Sequence, residues 1–286
     1  MVPPWRRMDP LWYGINSFLR GLKNVPFRYP FMKPNLTDAN ARAARHPCVA
    51  HRGFSGKAPE NTLAAFRMAI GLSQVSWIEM DVHLSRDDVP VVIHDGTLER
   101  TTNGAGRVVD YTAEELGRLD AGSWFDPAFA GEGVPSLEEV LVMTAGKCRL
   151  NVELKGDDAD HAHLAKRAVE VISSLRLEDE IIVTSFHADI LMAVRKYSPR
   201  LRTGLIIDAC PADLVEKLIS LDASLLSIGF RHINERLLKQ AEAASIEVMA
   251  WTLNSVSELR RLAGRPESFQ LCTNYPDRWL TAVKGV

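Results

Sequence analysis

Short apolar, β-branched segments alternate with helical patterns along the chain from residue 47 onward. This alternation predicts βα units on a parallel sheet. Nine segments fit a buried strand: Cys48–His51, Trp77–Val82, Pro90–His94, Arg149–Leu154, Ile181–Ser185, Thr203–Ile207, Leu225–Ile228, Glu247–Thr252 and Phe269–Thr273. Amphipathic stretches such as Leu63–Leu72 and Ala162–Leu175 lie between most of them and predict helices.

The number of strands favours an α/β fold of the (β/α)8 type, a TIM barrel, over a small doubly wound sheet. A single domain of this kind uses about 250 residues. Nine candidates compete for eight places, so one of them has to lie outside the barrel. Leu225–Ile228 has the weakest pattern of the nine.

One connection is longer than an ordinary βα loop, because 53 residues separate Asp95 from Arg149. This segment is rich in glycine and turn-forming residues, and it predicts a small insertion at about 96–148, after the third strand, in a distorted barrel. Within it, Thr112 and Ser136 each precede a glutamate by three residues, which is the capping-box pattern of a short helix.

Composition excludes several classes of protein. The chain is 46% hydrophobic and 24% charged, as ordinary globular proteins are. Its 34 basic and 36 acidic side chains argue against nucleic acid as the main partner. It lacks the run of about 18 apolar residues that a membrane-spanning helix needs. Four widely separated cysteines and an N-terminus without a secretory pattern lead us to expect a cytoplasmic protein.

Residues 1–46 precede the first strand as an aromatic and basic arm, and residues 47–286 form the predicted catalytic barrel. The arm holds a third of the aromatic residues of the chain. One interpretation is that these aromatic side chains pack on the barrel. The other is a peripheral membrane or homo-oligomer contact through residues 1–36, because apolar residues recur at helical spacing between Leu11 and Leu22.

Polar side chains occur at the carboxyl ends of four successive candidate strands, where a barrel carries its active site. They are His51, Arg52, Glu79, Asp81, His94, Glu153 and Lys155. Glu79 and Asp81 are two residues apart on one strand, so their carboxylates point to the same face, as do Glu153 and Lys155. Three converging carboxylates favour a hard divalent cation, Mg²⁺ or Ca²⁺, among them. A metal-free cluster neutralised in part by Lys155 is the alternative.

His51 and His94 suit general acid and base catalysis near neutral pH. A lone histidine at a strand end is more often a core residue, but two of them beside three carboxylates favour catalysis. Arg52 and Lys155 add positive charge suited to a phosphate. Together these groups predict metal-assisted phosphoryl chemistry.

The remaining histidines are expected to have structural roles. His83 follows Asp81 by two residues and is expected to support the site. His161 and His163 begin a helix beside several acidic residues, which indicates a solvated helix cap.

Eight sequence blocks occur in the order and spacing of a known family. They are Ala50-His-Arg-Gly53, Ala58-Pro-Glu-Asn-Thr-Leu-Ala-Ala-Phe66, Ile78-Glu-Met-Asp-Val82, Val89-Pro-Val-Val-Ile-His-Asp95, Thr101-Thr-Asn-Gly104, Asn151-Val-Glu-Leu-Lys155, Val248-Met-Ala-Trp-Thr252 and Thr273-Asn-Tyr-Pro-Asp277. On these blocks, residues 47–283 closely resemble the glycerophosphodiester phosphodiesterase family of the PI-PLC-like phosphodiesterase superfamily.

The resemblance implies a distorted TIM barrel with an insertion after the third strand. It also implies hydrolysis of a glycerophosphodiester, such as glycerophosphocholine, to glycerol 3-phosphate and an alcohol. The site residues of the family match eight positions here: catalytic His51 and His94, metal ligands Glu79, Asp81 and Glu153, and substrate-contacting Arg52, Lys155 and Trp251. In the family the glycerol 2-hydroxyl is thought to attack and give a cyclic phosphate, and direct attack by water is the alternative.

Two other functions stay open. A lysophospholipase D acting on lipid-like substrates at a membrane surface is favoured by the arm, residues 1–36. An inactive barrel that serves as a binding module is the second, and loss of His51, His94 or Glu153 would be its signature. All three residues are present.

Overall fold

In the computed structural model, which describes residues 38–156 and 160–284, eight parallel strands close into a barrel. The strands in chain order are β1 (Cys48–His51), β2 (Val75–Leu84), β3 (Pro90–Val92), β4 (Arg149–Leu154), β5 (Ile181–Ser185), β6 (Arg202–Ile207), β7 (Leu225–Gly229), β8 (Glu247–Trp251) and β9 (Gln270–Thr273). Strand β1 pairs in parallel with both β2 and β9, so the first and last strands close the barrel. The predicted TIM barrel is confirmed.

Strand β3 lies outside the barrel. It runs antiparallel to the end of β2, with Val82 opposite Val92, and β4 takes the next barrel place beside β2. The ten-residue β2 is the longest of the described strands, and its last residues extend beyond the pairing with β4 to bind β3. The extra strand is therefore the third candidate, whereas the segment with the weakest pattern, Leu225–Gly229, is a fully buried barrel strand.

The helices pack around the outside of the barrel. In the described part of the chain they are α1 (Asp38–Arg45), α2 (Leu63–Ile70), α3 (Ala113–Gly117), α4 (Leu137–Thr144), α5 (His161–Leu175), α6 (Ala188–Tyr197), α7 (Leu214–Ser220), α8 (Glu235–Ala243), α9 (Val256–Ala263) and α10 (Pro276–Lys284). Their apolar faces bury side chains such as Phe66, Leu164 and Trp279 against the strands. Among these helices, none combines the length and apolar character that crossing a membrane requires.

The insertion between β3 and α4 has a small core of its own. Its buried side chains are Val91, Ile93, Leu98, Val108, Leu116, Ala121 and Val134. Both predicted capping boxes are confirmed, with Thr112 at the start of α3 and Ser136 at the start of α4. The insertion also bonds to α2, because Glu132 accepts hydrogen bonds from the Ala64 amide (3.0 Å) and the Arg67 guanidinium (2.7 Å).

The last part of the predicted arm, residues 38–45, forms α1. Ala43 packs against the barrel core, and Arg42 Nε donates to the carbonyl of Val283 (3.0 Å). Residues 1–37 lie outside the described residues, so the domain boundary at residue 46 and the membrane or oligomer contact stay predictions.

Candidate active site

The register of neighbouring strands brings the predicted site residues together at the barrel mouth. His51 lies opposite Glu79 in the β1–β2 pair, and Asp81 lies opposite Glu153 in the β2–β4 pair. The barrel interior has a separate cluster of packed side chains, namely Val49, Trp77, Ile182, Leu225, Met249 and Cys272. The site therefore lies above a packed barrel interior, as in other TIM barrels.

A tight turn directly after β1 fixes the positions of His51 and Arg52. Arg52 and Gly53 both have left-handed backbone conformations, with φ of 55° and 78°. A side chain at Gly53 is excluded, because an added Cβ would lie 2.7 Å from the Ala65 carbonyl carbon. The turn points the Arg52 amide at Glu79, where it donates to Oε2 (3.0 Å).

Three buried carboxylates converge beside this turn. One oxygen from each of Glu79, Asp81 and Glu153 lies within 4.8 Å of the others. Arg52 Nε lies 3.1 Å from Asp81 Oδ2, and Lys155 Nζ lies 2.7 Å from Glu153 Oε1 and 3.5 Å from Asp81 Oδ1. Two cations therefore face three carboxylates.

The pKa shifts in this cluster reflect burial of the carboxyl groups, repulsion between them and attraction to Arg52 and Lys155. Burial raises the pKa of Glu79, and the charges of Asp81 and Glu153 raise it further. Burial and Asp81 raise the pKa of Glu153 to about 7. Burial alone would raise the pKa of Asp81 as well, but the Arg52 and Lys155 charges outweigh it and hold that pKa below its ordinary value. An all-oxygen cluster with uncompensated negative charge fits a hard divalent cation.

His51 is oriented by the last strand. Its Nδ1 donates to Asn274 Oδ1 (2.7 Å), and its Nε2 lies 3.9 Å from Glu79 Oε2. Burial, with the Arg52 charge, lowers the pKa of His51 to about 4. The imidazole is therefore neutral at pH 7 and presents the lone pair of Nε2 to the site.

His94 reaches the site by a different route from the one predicted. It was expected at the end of a third barrel strand, which is wrong, since β3 ends at Val92 and lies outside the barrel. The backbone instead returns to β2, because the Ile93 amide donates to the Asp81 carbonyl (3.0 Å). His83 Nε2 donates to the His94 carbonyl (3.0 Å), which agrees with the supporting role predicted for His83.

A cluster of charged groups holds the His94 ring. His94 Nδ1 donates to Asp95 Oδ1 (2.5 Å), and Arg100 from the insertion binds both oxygens of Asp95 (2.5 and 3.0 Å). Arg100 also donates to both oxygens of Glu60 (2.8 and 3.1 Å), and Glu60 accepts from Arg52 (2.8 Å). The hydrogen bonds from Arg100 are the main reason that the pKa of Asp95 falls to about 2. We call Asp95, Arg100 and Glu60 the arginine clamp.

The pocket at the mouth encloses about 150 Å³ and has two unlike sides. Its charged lining comprises His51, Arg52, Glu79, His94, Glu153 and Lys155. The uncharged lining includes Phe186, Ile206, Met249 and Trp251, and the Phe186 and Trp251 rings meet edge to face with centroids 6.3 Å apart. Asp81 is 1% exposed and lies behind the lining, between Arg52 and Lys155. The charged side suits an anion, and the other suits a carbon skeleton.

Sequence reasoning assigned no role to five residues that hold the site, namely Glu60, Asn61, Asp95, Arg100 and Asn274, although it placed Asp95 with His94 at the end of the third candidate strand. Asn274 directly follows β9, so the strand-end rule that found the other polar residues applies to it too. Asn61 donates to Asp81 Oδ2 (2.8 Å) from a left-handed conformation, φ 58°, which asparagine tolerates. The role of Arg100 depends on how the insertion folds back, and no local pattern indicates it.

Comparisons with known proteins identify the family of this chain. The sequence profile of the glycerophosphoryl diester phosphodiesterase family matches residues 51–277. A glycerophosphodiester phosphodiesterase from Caldanaerobacter subterraneus subsp. tengcongensis is 34% identical over 215 residues, which are 75% of this chain and 88% of the relative.

Solved structures are similar over most of the chain. A phosphodiesterase from Oleispira antarctica, solved in complex with the product sn-glycerol-3-phosphate, has a TM-score of 0.79 at 31% identity and covers 86% of this chain and 99% of its own. A glycerophosphodiester phosphodiesterase from Agrobacterium tumefaciens has a TM-score of 0.72 at 28% identity, over 82% of this chain and 99% of its own. The chain therefore belongs to the glycerophosphoryl diester phosphodiesterase family, whose members are phosphoric diester hydrolases.

Proposed function

We propose that this protein hydrolyses glycerophosphodiesters to glycerol 3-phosphate and an alcohol, with His51 and His94 as base and acid and with one divalent cation, Mg²⁺ or Ca²⁺, on Glu79, Asp81 and Glu153. One observation carries the proposal: two differently supported histidines face a single pocket that is also lined by Glu79, Glu153, Arg52 and Lys155, with Asp81 directly behind. The product bound in the related Oleispira enzyme is of the proposed chemical class.

The hydrogen-bond partners of the two histidines support these roles. Asn274 is a neutral acceptor at Nδ1 of His51, so Nε2 is left to take a proton from the attacking hydroxyl. Asp95 is an anionic acceptor at Nδ1 of His94, so it stabilises the charged imidazolium that donates a proton to the leaving alcohol.

The reaction is a displacement at phosphorus. The attacking oxygen forms a bond to phosphorus and gives its proton to His51, while the bond to the alcohol oxygen breaks and His94 protonates that oxygen. When the attacker is the glycerol 2-hydroxyl, the product is a cyclic phosphate, and water opens it with the two histidines in exchanged roles. Direct attack by water needs the same two proton transfers.

Charge development on the phosphate is the main barrier that the site lowers. Arg52 and Lys155 line the pocket and place positive charge beside the non-bridging oxygens. Glu79, Asp81 and Glu153 would hold the divalent cation, which would supply further Lewis-acid stabilisation of the phosphate. Trp251 and Phe186, on the uncharged side, contact the glycerol or the head group.

An assay of glycerol 3-phosphate release tests the proposal. Glycerophosphocholine, glycerophosphoethanolamine and lysophospholipids are offered with Mg²⁺, with Ca²⁺ and with EDTA. His51→Ala and His94→Ala should each lower turnover by at least about 100-fold with unchanged circular dichroism, and His232→Ala, at a partly exposed histidine that pairs with Asp208 instead, is the matched control. Full activity in either histidine variant contradicts the catalytic assignment, and full activity in EDTA contradicts the cation.

The same assay separates the alternatives. Preference for lysophospholipids, lost on removal of residues 1–36, would favour a lysophospholipase D. Failure to turn over any of the substrates would favour a binding module.

A further inference from the structure

A second group of metal-ligating side chains lies on the same face of the barrel, outside the pocket lining. His161 begins α5, His187 is the N-cap of α6, and Asp189 is in the first turn of α6. One possible ligand atom from each of the three residues lies within 4.8 Å of the others. His161 and Asp189 are 26% and 60% exposed, so an ion in solution has access to them.

The hydrogen bond from His161 to a backbone carbonyl is typical of a metal-binding histidine. His161 Nε2 donates to the Gly156 carbonyl (2.9 Å), and Nδ1 is hydrogen-bonded to Asp189 Oδ2 (2.6 Å). Metal-bound histidines almost always donate their second ring N–H to a backbone carbonyl or a carboxylate, because this bond fixes the tautomer and the ring. A metal ion that replaces the proton between Nδ1 and Asp189 Oδ2 would take these two atoms as ligands.

The other two residues are also held in place. The Ile190 amide donates to Asp189 Oδ1 (3.1 Å), which leaves Oδ2 directed at His161. The His187 amide donates to Ser185 Oγ (3.1 Å), and the His187 ring lies 4.6 Å from the His161 ring, centroid to centroid.

Gly156 makes room for both imidazoles. An added Cβ there would lie 2.5 Å from His161 Nε2 and 2.7 Å from His187 Cδ2. Any larger residue would force the two rings away from this carbonyl. The glycine that follows Lys155 thus permits the arrangement of the two histidines.

The donor atoms select a different class of cation from the one that suits the carboxylate cluster. Two imidazoles and one carboxylate suit borderline ions such as Zn²⁺, Co²⁺ or Ni²⁺, whereas three carboxylates suit Mg²⁺ or Ca²⁺. The group cannot be recognised from sequence spacing, since 25 residues separate His161 from His187 and the prediction placed His161 with His163 instead. His163 lies outside this group, and its Nε2 is 2.8 Å from Asp88 Oδ1.

We propose that His161, His187 and Asp189 form a second metal site, which binds Zn²⁺ or a similar borderline divalent cation with water completing the coordination. Three protein ligands and one water are the usual arrangement of an open zinc site. The site is separate from the catalytic cluster and does not depend on the proposed reaction.

Zinc titration by calorimetry tests the site, with the full chain free of any histidine tag and saturated with Mg²⁺ to occupy the carboxylate cluster. We expect one Zn²⁺ to bind per chain. His187→Ala and Asp189→Asn should each weaken binding by at least about 100-fold, because loss of even an outer partner costs about 10- to 100-fold. Co²⁺ should give a visible absorption band in the wild type that both variants lose.

His163→Ala is the matched control, because this histidine lies on the same helix and pairs with an aspartate outside the group. Glu153→Gln is a second control, since it weakens the carboxylate cluster and should leave the Zn²⁺ stoichiometry at one. Equal Zn²⁺ affinity in the wild type, His187→Ala and Asp189→Asn would overturn the proposal. Loss of Zn²⁺ binding in Glu153→Gln alone would assign the ion to the carboxylate cluster and overturn it as well.

Discussion

The barrel and the insertion contribute to the active site in different ways. The barrel places His51, Glu79, Asp81 and Glu153 through the register of neighbouring strands, over a packed interior. The insertion orients His94 through side-chain hydrogen bonds of the arginine clamp, over a small core of seven buried residues. The carboxylates are therefore fixed by the whole fold, whereas His94 depends on a local unit that is able to loosen by itself.

The largest expected effect is on the barrel side. Glu79→Gln keeps an oxygen acceptor for the Arg52 amide but removes one of the three converging charges. Activity should fall by about 10³-fold, since Lewis-acid stabilisation is worth several kcal/mol. In EDTA the variant should melt at a higher temperature than the wild type, because a buried like charge is gone. A lower melting temperature there would show that the three carboxylates do not repel one another.

His94→Ala should lower kcat by about 10²- to 10⁴-fold, the usual contribution of a general acid or base. A substrate with a nitrophenol leaving group, which needs no proton, should recover most of the loss. His51→Ala should show a similar loss without that recovery, because the attacking hydroxyl still needs a base. If the nitrophenol substrate restores activity to His51→Ala and not to His94→Ala, then His51 is the acid and His94 is the base.

The arginine clamp should matter less. Asp95→Asn keeps a hydrogen-bond partner for His94 but removes the charge that stabilises its imidazolium, and kcat should fall by about tenfold to 100-fold with KM unchanged. Arg100→Met should give a smaller loss, and Arg100→Lys should restore part of it. If KM rises in proportion to the loss of kcat, the clamp acts on substrate binding instead of on His94.

Two core substitutions compare the barrel and the insertion directly. Leu116→Ala in the insertion and Leu164→Ala on α5 each remove a fully buried leucine, at a local cost of about 2–5 kcal/mol. Leu116→Ala should lower kcat several-fold with little change in the main melting transition. Leu164→Ala should lower the melting temperature and leave the kcat of the folded protein unchanged at 25 °C. Equal effects of the two variants on melting would mean that the insertion and the barrel unfold as one unit.

The smallest expected effect is the contribution of His46, at the start of the barrel, to the pH dependence of stability. Burial lowers the pKa of His46, which packs at the start of β1 with both ring nitrogens near carbonyls (3.1 and 3.3 Å). The unfolded chain then binds more protons than the folded one, so the stability from His46 is complete above about pH 6.5 and falls as pH drops. The clamp carboxylate Asp95, with a pKa of about 2, stays ionised over this range.

Denaturant unfolding at pH 7.5 and pH 5 measures this difference. Acidification should lower the free energy of unfolding less, or raise it more, in His46→Gln than in the wild type. Asp95→Asn should show the same change as the wild type. If the free energy of unfolding depends on pH in the same way in His46→Gln and in the wild type, His46 does not contribute to that dependence.

The barrel and its site residues could be predicted because their signals are local. Residues two apart on a strand share a face, and the ends of parallel strands meet, so Glu79, Asp81, Glu153 and Lys155 follow from spacing alone. The place of His94 could not be predicted in this way, since the pattern of Pro90–Val92 is that of a buried strand whether it joins the barrel or pairs outside it. Arg100 and the His161 group depend on contacts between segments far apart in sequence, which a single sequence does not encode locally.

The contact between His51 and Asn274 joins residues that are 223 positions apart. During synthesis, His51, the carboxylates and the insertion therefore leave the ribosome early. The strand that closes the barrel, and Asn274 directly after it, follow much later. A nascent chain that ends before Asn274 has every charged group of the candidate site and still lacks the support for the proposed base. Activity should consequently appear only after Asn274 has been synthesised and has left the ribosome.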